Sequence, residues 1–181
     1  MYSPPTNPIP PMVQSLGMWS TVMSPLLTGT APSGAAWYSA NGAIYMPILV
    51  PATCVARRLW WVNSSTVSAS YNLDCGIYAD AGGKPGVKLV STGSTAQGTA
   101  SEVQFADITD TTLTPGVHWL ALSCSSTSAT LFRWSPADAS RNAALKFEEA
   151  SAVPLPATAT PAESGTSTAY PIFGFATTAS P

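Results

Sequence analysis

The single histidine of the chain, His118, is the first residue to consider for catalysis, because a Ser-His-Asp or Cys-His site needs an imidazole as its base. The G-x-S-x-G sequence, which would present a nucleophilic serine on a sharp turn, does not occur in the 181 residues. His118 lies instead in the middle of an alternating segment that is typical of a β-strand. We therefore predict that His118 is a partly buried strand residue and that the protein is not an enzyme.

Carboxylates are the next candidates, because glycoside hydrolysis needs two of them facing each other across a cleft. The nine acidic residues are scattered along the chain, and their positions predict no such pair. Glu148 and Glu149 are adjacent, and we interpret them as the solvated end of a helix predicted within residues 136–150.

Metal binding has few candidate ligands in this sequence. Asp107 and Asp110 could hold calcium together with backbone carbonyls, or they could be ordinary turn-forming aspartates, and we favour the second interpretation. Cys54, Cys75 and Cys124 have neither C-x-x-C spacing nor a nearby histidine cluster, so a zinc site is not predicted. Cys75 and Cys124 lie in predicted strands and are either buried free thiols or, if those strands are neighbours, a disulfide. We expect no metal and no cofactor.

Six tryptophans and six tyrosines are the remaining residues with recognisable chemistry. Trp60 and Trp61 are consecutive in a predicted strand, so they point to opposite faces of a sheet, and only one can belong to a given core. The other must meet a partner, a ligand or another part of the chain. Most tryptophans are expected to be core or interface anchors. A glycan-stacking platform is the alternative, and its candidate residues are Trp60, Tyr78 and Trp134.

Charge is scarce in this chain, since seven basic and nine acidic residues make up only 9% of it. Without a basic cluster, binding to nucleic acid or to an anionic membrane surface is not expected. The sequence also lacks a run of 18 apolar residues and an N-terminal pattern typical of a secretory signal, so we expect no membrane insertion. A secreted protein whose signal has been removed stays an alternative. A surface this poor in charge indicates either a subunit of a larger assembly or a Ser/Thr-rich secreted β-domain, and we favour the assembly.

Residues 1–43 are predicted to form an extended N-terminal arm, because they are rich in proline, glycine, serine and threonine. The arm also carries many large apolar side chains, which a solvated linker would not expose. These side chains could dock on another subunit or fold back over their own domain, and we favour docking. The candidate docking residues are Ile9, Met12, Leu16, Trp19, Leu26 and Leu27.

Residues 44–181 are predicted to form one all-β domain. Segments such as Tyr71–Ala79 and Val117–Cys124 alternate with a period of two, and Asp80–Gly86 is a strong turn signal with two glycines and a proline. Seven or eight such strands with regular turns are typical of an antiparallel β-sandwich of the jelly-roll kind.

Three stretches resemble structural proteins of tailed bacteriophages, of the tail-fibre, minor-tail or head-appendage kind. They are YNLDCGIYADAGGKPGVKLVSTGS (71–94), LTPGVHWLALSCSSTSATLFRW (113–134) and VPLPATATPA…YPIFGFA (153–176). The shared pattern is a strand ending in Tyr-x-Asp, a Gly-Lys-Pro-Gly turn, and a later pair of strands. It mainly encodes turns and core positions, and it is also similar to carbohydrate-binding sandwich modules of secreted enzymes.

The phage resemblance implies a virion component assembled in the host cytoplasm, with trimeric or higher symmetry. The arm would then dock on other virion proteins of the capsid, collar or tail, and the sandwich could contact glycans of the host surface. The alternative resemblance implies a sugar-binding module.

Overall fold

The computed structural model describes residues 32–134, 146–150, 152–161 and 170–178, together with the backbone of residues 18–20. These residues form an antiparallel β-sandwich and contain no helix, which confirms the predicted fold class. The strands are β1 Met18–Ser20, β2 Ser33–Ala36, β3 Gly42–Val50, β4 Cys54–Val62, β5 Asn72–Asp80, β6 Pro85–Ser91, β7 Thr95–Ala96, β8 Val103–Leu113, β9 Gly116–Cys124, β10 Thr130–Trp134, β11 Phe147–Glu149, β12 Tyr170–Pro171 and β13 Phe173–Ala176.

The strands are arranged in three antiparallel sheets. The large sheet has the order β11-β3-β9-β5-β6, with β7 also paired to β5. The small sheet has the order β1-β13-β4-β8, and the short sheet has the order β12-β10-β2. Ile172 joins the last two into one layer, because its amide donates to Phe132 O at 3.0 Å and its carbonyl accepts from Val62 N at 3.2 Å. Successive strands β3, β4 and β5 alternate between the two layers, as jelly-roll strands do.

The main core lies between the two layers, and the period of two in the sequence places the residues that fill it. Leu73, Cys75 and Ile77 of β5 all point inward and are fully buried, as their alternation predicts. Leu120 and Leu122 of β9 join them, together with aromatic residues of β13 from the opposite layer. Burial of such side chains stabilises the fold by about 1.5–3 kcal/mol each.

The predicted turn after β5 is confirmed, and its residues have the required conformations. Gly82 and Gly83 have φ angles of 70° and 85°, in the left-handed region that glycine adopts at little cost. The Ala81 amide donates to Lys84 O at 2.8 Å, which closes the turn. The Asp80 carboxylate accepts from Gly83 N at 3.1 Å.

The helix predicted within residues 136–150 is wrong where it can be checked. Phe147–Glu149 form strand β11, which pairs with residues 43–45 of β3, and residues 135–145 lie outside the described residues. Phe147 and Glu148 point to opposite faces of the large sheet. An apolar residue followed by a charged one is therefore compatible with a strand here.

The predicted end of the arm at residue 43 does not coincide with a structural boundary. Gly42–Val50 is one continuous strand, and Ser33–Ala36 pairs with β10 in the short sheet. Trp37 is only 4% exposed in the main core, and its indole N–H donates to Gly42 O at 3.0 Å. Residues 32–43 therefore belong to the sandwich, and Trp37 folds onto its own domain.

Replacing Trp37 with alanine tests this boundary. We expect W37A to lower the free energy of unfolding by about 3–5 kcal/mol, because it leaves a cavity in the core. Leu89→Ala is the matched control, since Leu89 is 41% exposed and its loss should change stability by only about 0.5 kcal/mol. Denaturant unfolding measures both values, and equal effects of the two substitutions would place Trp37 outside the core.

Candidate functional site: the strap and the face it covers

His118 does not belong to a catalytic constellation in the described part of the chain. It lies in β9 and is buried, which confirms the predicted strand position. One ring nitrogen, Nε2, lies 2.9 Å from Thr114 O, and the other, Nδ1, has no hydrogen-bond partner. Neither nitrogen contacts a carboxylate or a nucleophilic side chain, so the arrangement that a triad requires is not assembled there.

The three candidate glycan residues are not brought together on an open surface. Trp60 and Trp61 point to opposite faces of β4, as expected, and Trp61 joins the main core. Trp60 is nevertheless only 5% exposed, and its indole N–H donates to Phe175 O at 3.3 Å. Tyr78 is fully buried on the other layer, and Trp134 packs partly against the core. Neither Trp60 nor Tyr78 therefore offers a ring face on which a sugar could stack.

Most of the candidate docking residues fall outside the part of the chain that the structure describes. Ile9, Met12, Leu16, Leu26 and Leu27 lie outside the described residues. The backbone of Trp19 lies in β1, opposite Phe175 at the edge of the small sheet.

The two candidate calcium ligands are engaged by arginines of the adjacent strand. Asp107 contacts the Arg58 guanidinium at 2.7 Å, and Asp110 contacts Arg57 at 3.4 Å. Among the described residues, no group of three or more histidine, cysteine or acidic side chains is placed to hold a metal ion. The described part of the chain likewise has no helix of the length and apolarity that a membrane crossing requires.

All three cysteines are free thiols. Cys75 and Cys124 lie on the neighbouring strands β5 and β9, and each faces a leucine rather than the other cysteine. Burial raises the pKa of both thiols, so they behave as small buried apolar groups.

The outer face of the large sheet, which points away from the main core, is also buried. Residues 152–161, called the strap from here on, run across it and form a second apolar cluster with the residues beneath. Under the strap, the Tyr45 and Tyr78 rings meet edge to face with centroids 5.3 Å apart. The cluster contains Ala43, Tyr45, Tyr78, Trp119, Ala121, Ala152, Leu155 and Ala159, with Phe147 packed against it.

The carboxylate of Asp74 anchors the middle of the strap. Asp74 is fully buried on the outer face of β5, and its Oδ2 accepts from Leu155 N at 2.9 Å. Its Oδ1 accepts from Thr92 Oγ1 at 3.3 Å. A buried carboxylate is costly unless hydrogen bonds replace its water, and these two donors supply that replacement.

Further hydrogen bonds hold the strap backbone on either side of Leu155. Tyr78 OH donates to Pro156 O at 2.6 Å, and Lys88 Nζ donates to Leu155 O at 2.7 Å. The Lys88 amide donates to Ala157 O at 2.8 Å, and Ala159 N donates to Gly86 O at 2.9 Å. The strap therefore pairs with β6 like an added edge strand, with Val87 opposite Thr158.

Glu149 holds the far end of the strap. Its carboxylate accepts from Thr160 N at 3.1 Å and Thr160 Oγ1 at 2.9 Å. It also accepts from Tyr45 OH at 2.6 Å. Burial raises the pKa of the Tyr45 hydroxyl above its usual range, and the bond to Glu149 adds to the effect, so Tyr45 is a proton donor throughout ordinary conditions.

The interpretation of Glu148 and Glu149 as the solvated end of a helix is wrong. Glu148 is buried on the inner side of β11, where its carboxylate pairs with the ammonium of buried Lys146. The Lys146 ammonium also lies 5.1 Å from the centre of the Tyr170 ring. Burial lowers the pKa of Lys146, while the contact with Glu148 opposes that shift.

The role of the strap as a cover of the large sheet was not predicted from the sequence. The sequences of β3, β5 and β9 nevertheless indicate such a cover. Tyr45, Tyr78 and Trp119 are large side chains at outward positions of these strands, and the inward positions of the same strands also carry large apolar side chains. Strands with apolar groups on both faces require a second covering layer.

No protein-family model matches the chain. A search of curated proteins finds no significant match either.

Removing the Asp74 carboxylate tests its role as the strap anchor. We expect Asp74→Ala to lower the free energy of unfolding by about 1–3 kcal/mol, because the Leu155 amide loses its buried acceptor. Asp110→Ala is the matched control, since its ion pair is exposed and contributes less than about 1 kcal/mol. Denaturant unfolding compares the two, and an Asp74→Ala effect no larger than the control would show that the strap does not depend on this carboxylate.

A second prediction concerns Asp80 and acid stability. The Trp119 indole N–H, which donates to Asp80 Oδ1 at 2.8 Å, lowers the pKa of that carboxyl, with help from the Gly83 amide. A lowered pKa in the folded state stabilises the protein above the unfolded value of about 3.9, and this contribution is lost as the pH falls through the folded value. We therefore expect Trp119→Phe to raise the pKa of Asp80. The variant should also lose less stability than the unmodified protein as the pH falls.

NMR titration of the Asp80 carboxyl carbon measures this shift. Trp37→Phe is the control, because the Trp37 indole donates to Gly42 O rather than to Asp80. An Asp80 titration that is the same in Trp119→Phe and in the unmodified protein would contradict the assignment.

Proposed function

We propose that the protein is a non-enzymatic structural subunit of a tailed-phage virion, and that it works by packing against other virion proteins. It is assembled in the host cytoplasm as a homotrimer or higher oligomer, and it joins a capsid, collar or tail protein through its N-terminal residues. The resemblance of residues 71–94, 113–134 and 153–176 to phage structural proteins supports the class of particle. The scarcity of charged residues supports an assembled rather than a solitary state.

The observation that carries the proposal is the apolar surface of a chain with little charge. Leu49 is 58% exposed and Val117 is 44% exposed, and the two are cross-strand partners on the outer face of the large sheet. The exposed Pro47 lies on the same face of β3, two residues before Leu49. Contiguous exposed apolar side chains on a soluble domain mark surfaces that partners cover.

A sheet edge offers a second contact surface. Strand β8 is eleven residues long and, within the described part of the chain, pairs only with β4, so its other edge is open. Val103, at the start of β8, is 43% exposed. Open edges of this length invite pairing with another chain, and in a virion subunit a neighbouring protein would occupy this one.

Strand β1, which follows the N-terminal residues in the chain, lies at the opposite edge of the same sheet. Strand β1 pairs with β13, and residues 1–17 precede it. Three of the candidate docking residues, Ile9, Met12 and Leu16, lie in that leading segment. Removing residues 1–17 therefore leaves every described residue in place while it removes half of the candidate contacts.

Light scattering on the purified chain tests the assembly role. We expect the full chain to form trimers or larger species, and the chain without residues 1–17 to dissociate while keeping its circular dichroism spectrum. Replacing exposed Leu49 with lysine should weaken association, and Ser70→Lys, at an exposed polar position, is the matched control. Monomers of both the full and the shortened chain would contradict the proposal.

Mass spectrometry of purified particles tests the virion assignment. We expect the chain to be present in stoichiometric amounts, with at least three copies in each particle. Its absence from particles that are complete and infectious would overturn the assignment.

A further inference from the structure

The large sheet holds the strap mainly through hydrogen bonds to the strap backbone. The large sheet contacts it through Asp74, Tyr78, Lys88, Gly86 and Glu149, which all hydrogen-bond strap backbone atoms. We call this surface the strap groove. Because backbone groups are common to all residues, the groove can accept another segment with suitable amide and side-chain positions.

Few strap side chains are buried in the strap groove. Leu155 is the one large apolar side chain that the strap inserts, and the two other buried strap side chains are Ala152 and Ala159. Pro154 and Pro156 flank Leu155 on either side. A segment that fits the strap groove therefore needs a branched aliphatic residue between two prolines. It also needs small residues at the positions of Ala152 and Ala159.

The chain contains one other segment of this pattern. Its only two Pro-x-Pro triplets are Pro154-Leu155-Pro156 of the strap and Pro8-Ile9-Pro10 near the N-terminus. Both enclose a branched aliphatic side chain with four carbons. Aligning the triplets places residues 6–14 on strap residues 152–160.

We infer that residues 6–14 of a neighbouring copy bind in the strap groove and displace the strap when subunits assemble. This inference rests on the proposed function and names the surface on which the N-terminal docking residues act. The predicted docking residue Ile9 takes the position of Leu155, and Met12 takes the position of Thr158.

The amide hydrogens that the groove requires are all present in the N-terminal segment. The strap donates from the amides of residues 152, 155, 159 and 160, to Asn41 O, Asp74, Gly86 O and Glu149. The aligned residues are Thr6, Ile9, Val13 and Gln14, and each of them has an N–H. The prolines at positions 8, 10 and 11 fall where the groove accepts no strap amide, so their missing N–H groups cost nothing there.

The carbonyl acceptors also match. The groove donates to the carbonyls of strap residues 155, 156 and 157, which correspond to residues 9, 10 and 11. Proline keeps its carbonyl, so the bonds from Tyr78 OH and the Lys88 amide can both form. The side-chain amide of Gln14 can replace the hydroxyl of Thr160 as a donor to Glu149.

The side chains fit at the main pocket and are larger at its two ends. Ile9 has the same number of carbons as Leu155, a substitution that well-packed sites tolerate after small adjustments. Val13 exceeds Ala159, which lies at the rim with 8% of its surface exposed. Thr6 exceeds the fully buried Ala152 and is the tightest position.

A neighbouring copy is the better source of this segment because of where β1 lies. Only residues 15–17 separate Gln14 from Met18, which pairs with β13 in the small sheet. Four extended steps span roughly 14 Å. The two layers are themselves about 10 Å apart, and the strap groove lies beyond the large sheet, on its outer side. This short length favours binding of the segment to the strap groove of another subunit over binding to the strap groove of its own subunit.

A disulfide that locks the strap tests the inference. Val87 and Thr158 face each other across the bridge between β6 and the strap, at a spacing suited to a cross-strand disulfide. The variant V87C/T158C, in a Cys54→Ser background, should lose self-association when oxidised and regain it when reduced, as measured by light scattering. Val87→Cys alone in the same background is the control, and oxidant should leave its association unchanged.

The possible outcomes separate this inference from the proposed function. If association requires residues 1–17 but is equal with the strap locked and released, the strap groove is not the docking site, while the assembly role stands. If the full chain is a monomer in every form, the assembly role fails and this inference fails with it.

A cross-link tests the register and the source of the segment. Met12→Cys/Val87→Cys in the Cys54→Ser background should form disulfide-linked dimers and larger species on a non-reducing gel, because Met12 takes the place of Thr158. Met12→Cys/Ser70→Cys is the matched control, since Ser70 is also exposed but lies in the turn between β4 and β5. A cross-link within one chain, or equal yields from the two variants, would overturn docking of a neighbour in the strap groove.

Discussion

The structure depends on one constraint, which is that the large sheet must be buried on both of its faces. Leu73, Cys75 and Ile77 fill the core on the inner face of β5, while Asp74 and Tyr78 occupy the outer face of the same strand. The outer face carries aromatic rings and a carboxylate that would be costly to cover without donors. The strap supplies a leucine and alanines that cover the rings and amide hydrogens that bind the carboxylates, so it completes the fold.

Much of the sandwich could be predicted from local pattern. The alternation in Tyr71–Ala79 and in Val117–Cys124 gave the correct faces for β5 and β9, and the glycines after Asp80 predicted the turn between β5 and β6. These features depend on neighbouring residues in the chain, through side-chain alternation and backbone φ preferences. Short-range information is sufficient for them.

The features that were missed depend on partners distant in sequence. Asp74 receives a bond from Leu155, eighty-one residues later, and Glu148 is buried because β11 lies at the edge of β3 rather than in a helix. Trp37 was predicted to belong to the apolar arm, but it fills a core built from strands that follow it. The same limit applies to the glycan residues, because nothing near Tyr78 in the sequence indicates that Pro156 covers it.

Amide hydrogen exchange at Leu155, followed by NMR on the unassembled chain, measures whether the strap covers the large sheet. We expect strong protection, close to that of the buried strand amides of β9, because the Leu155 N–H is bonded to a fully buried carboxylate. Exchange as fast as that of Ala69, in an exposed turn, would show that the strap does not cover the large sheet.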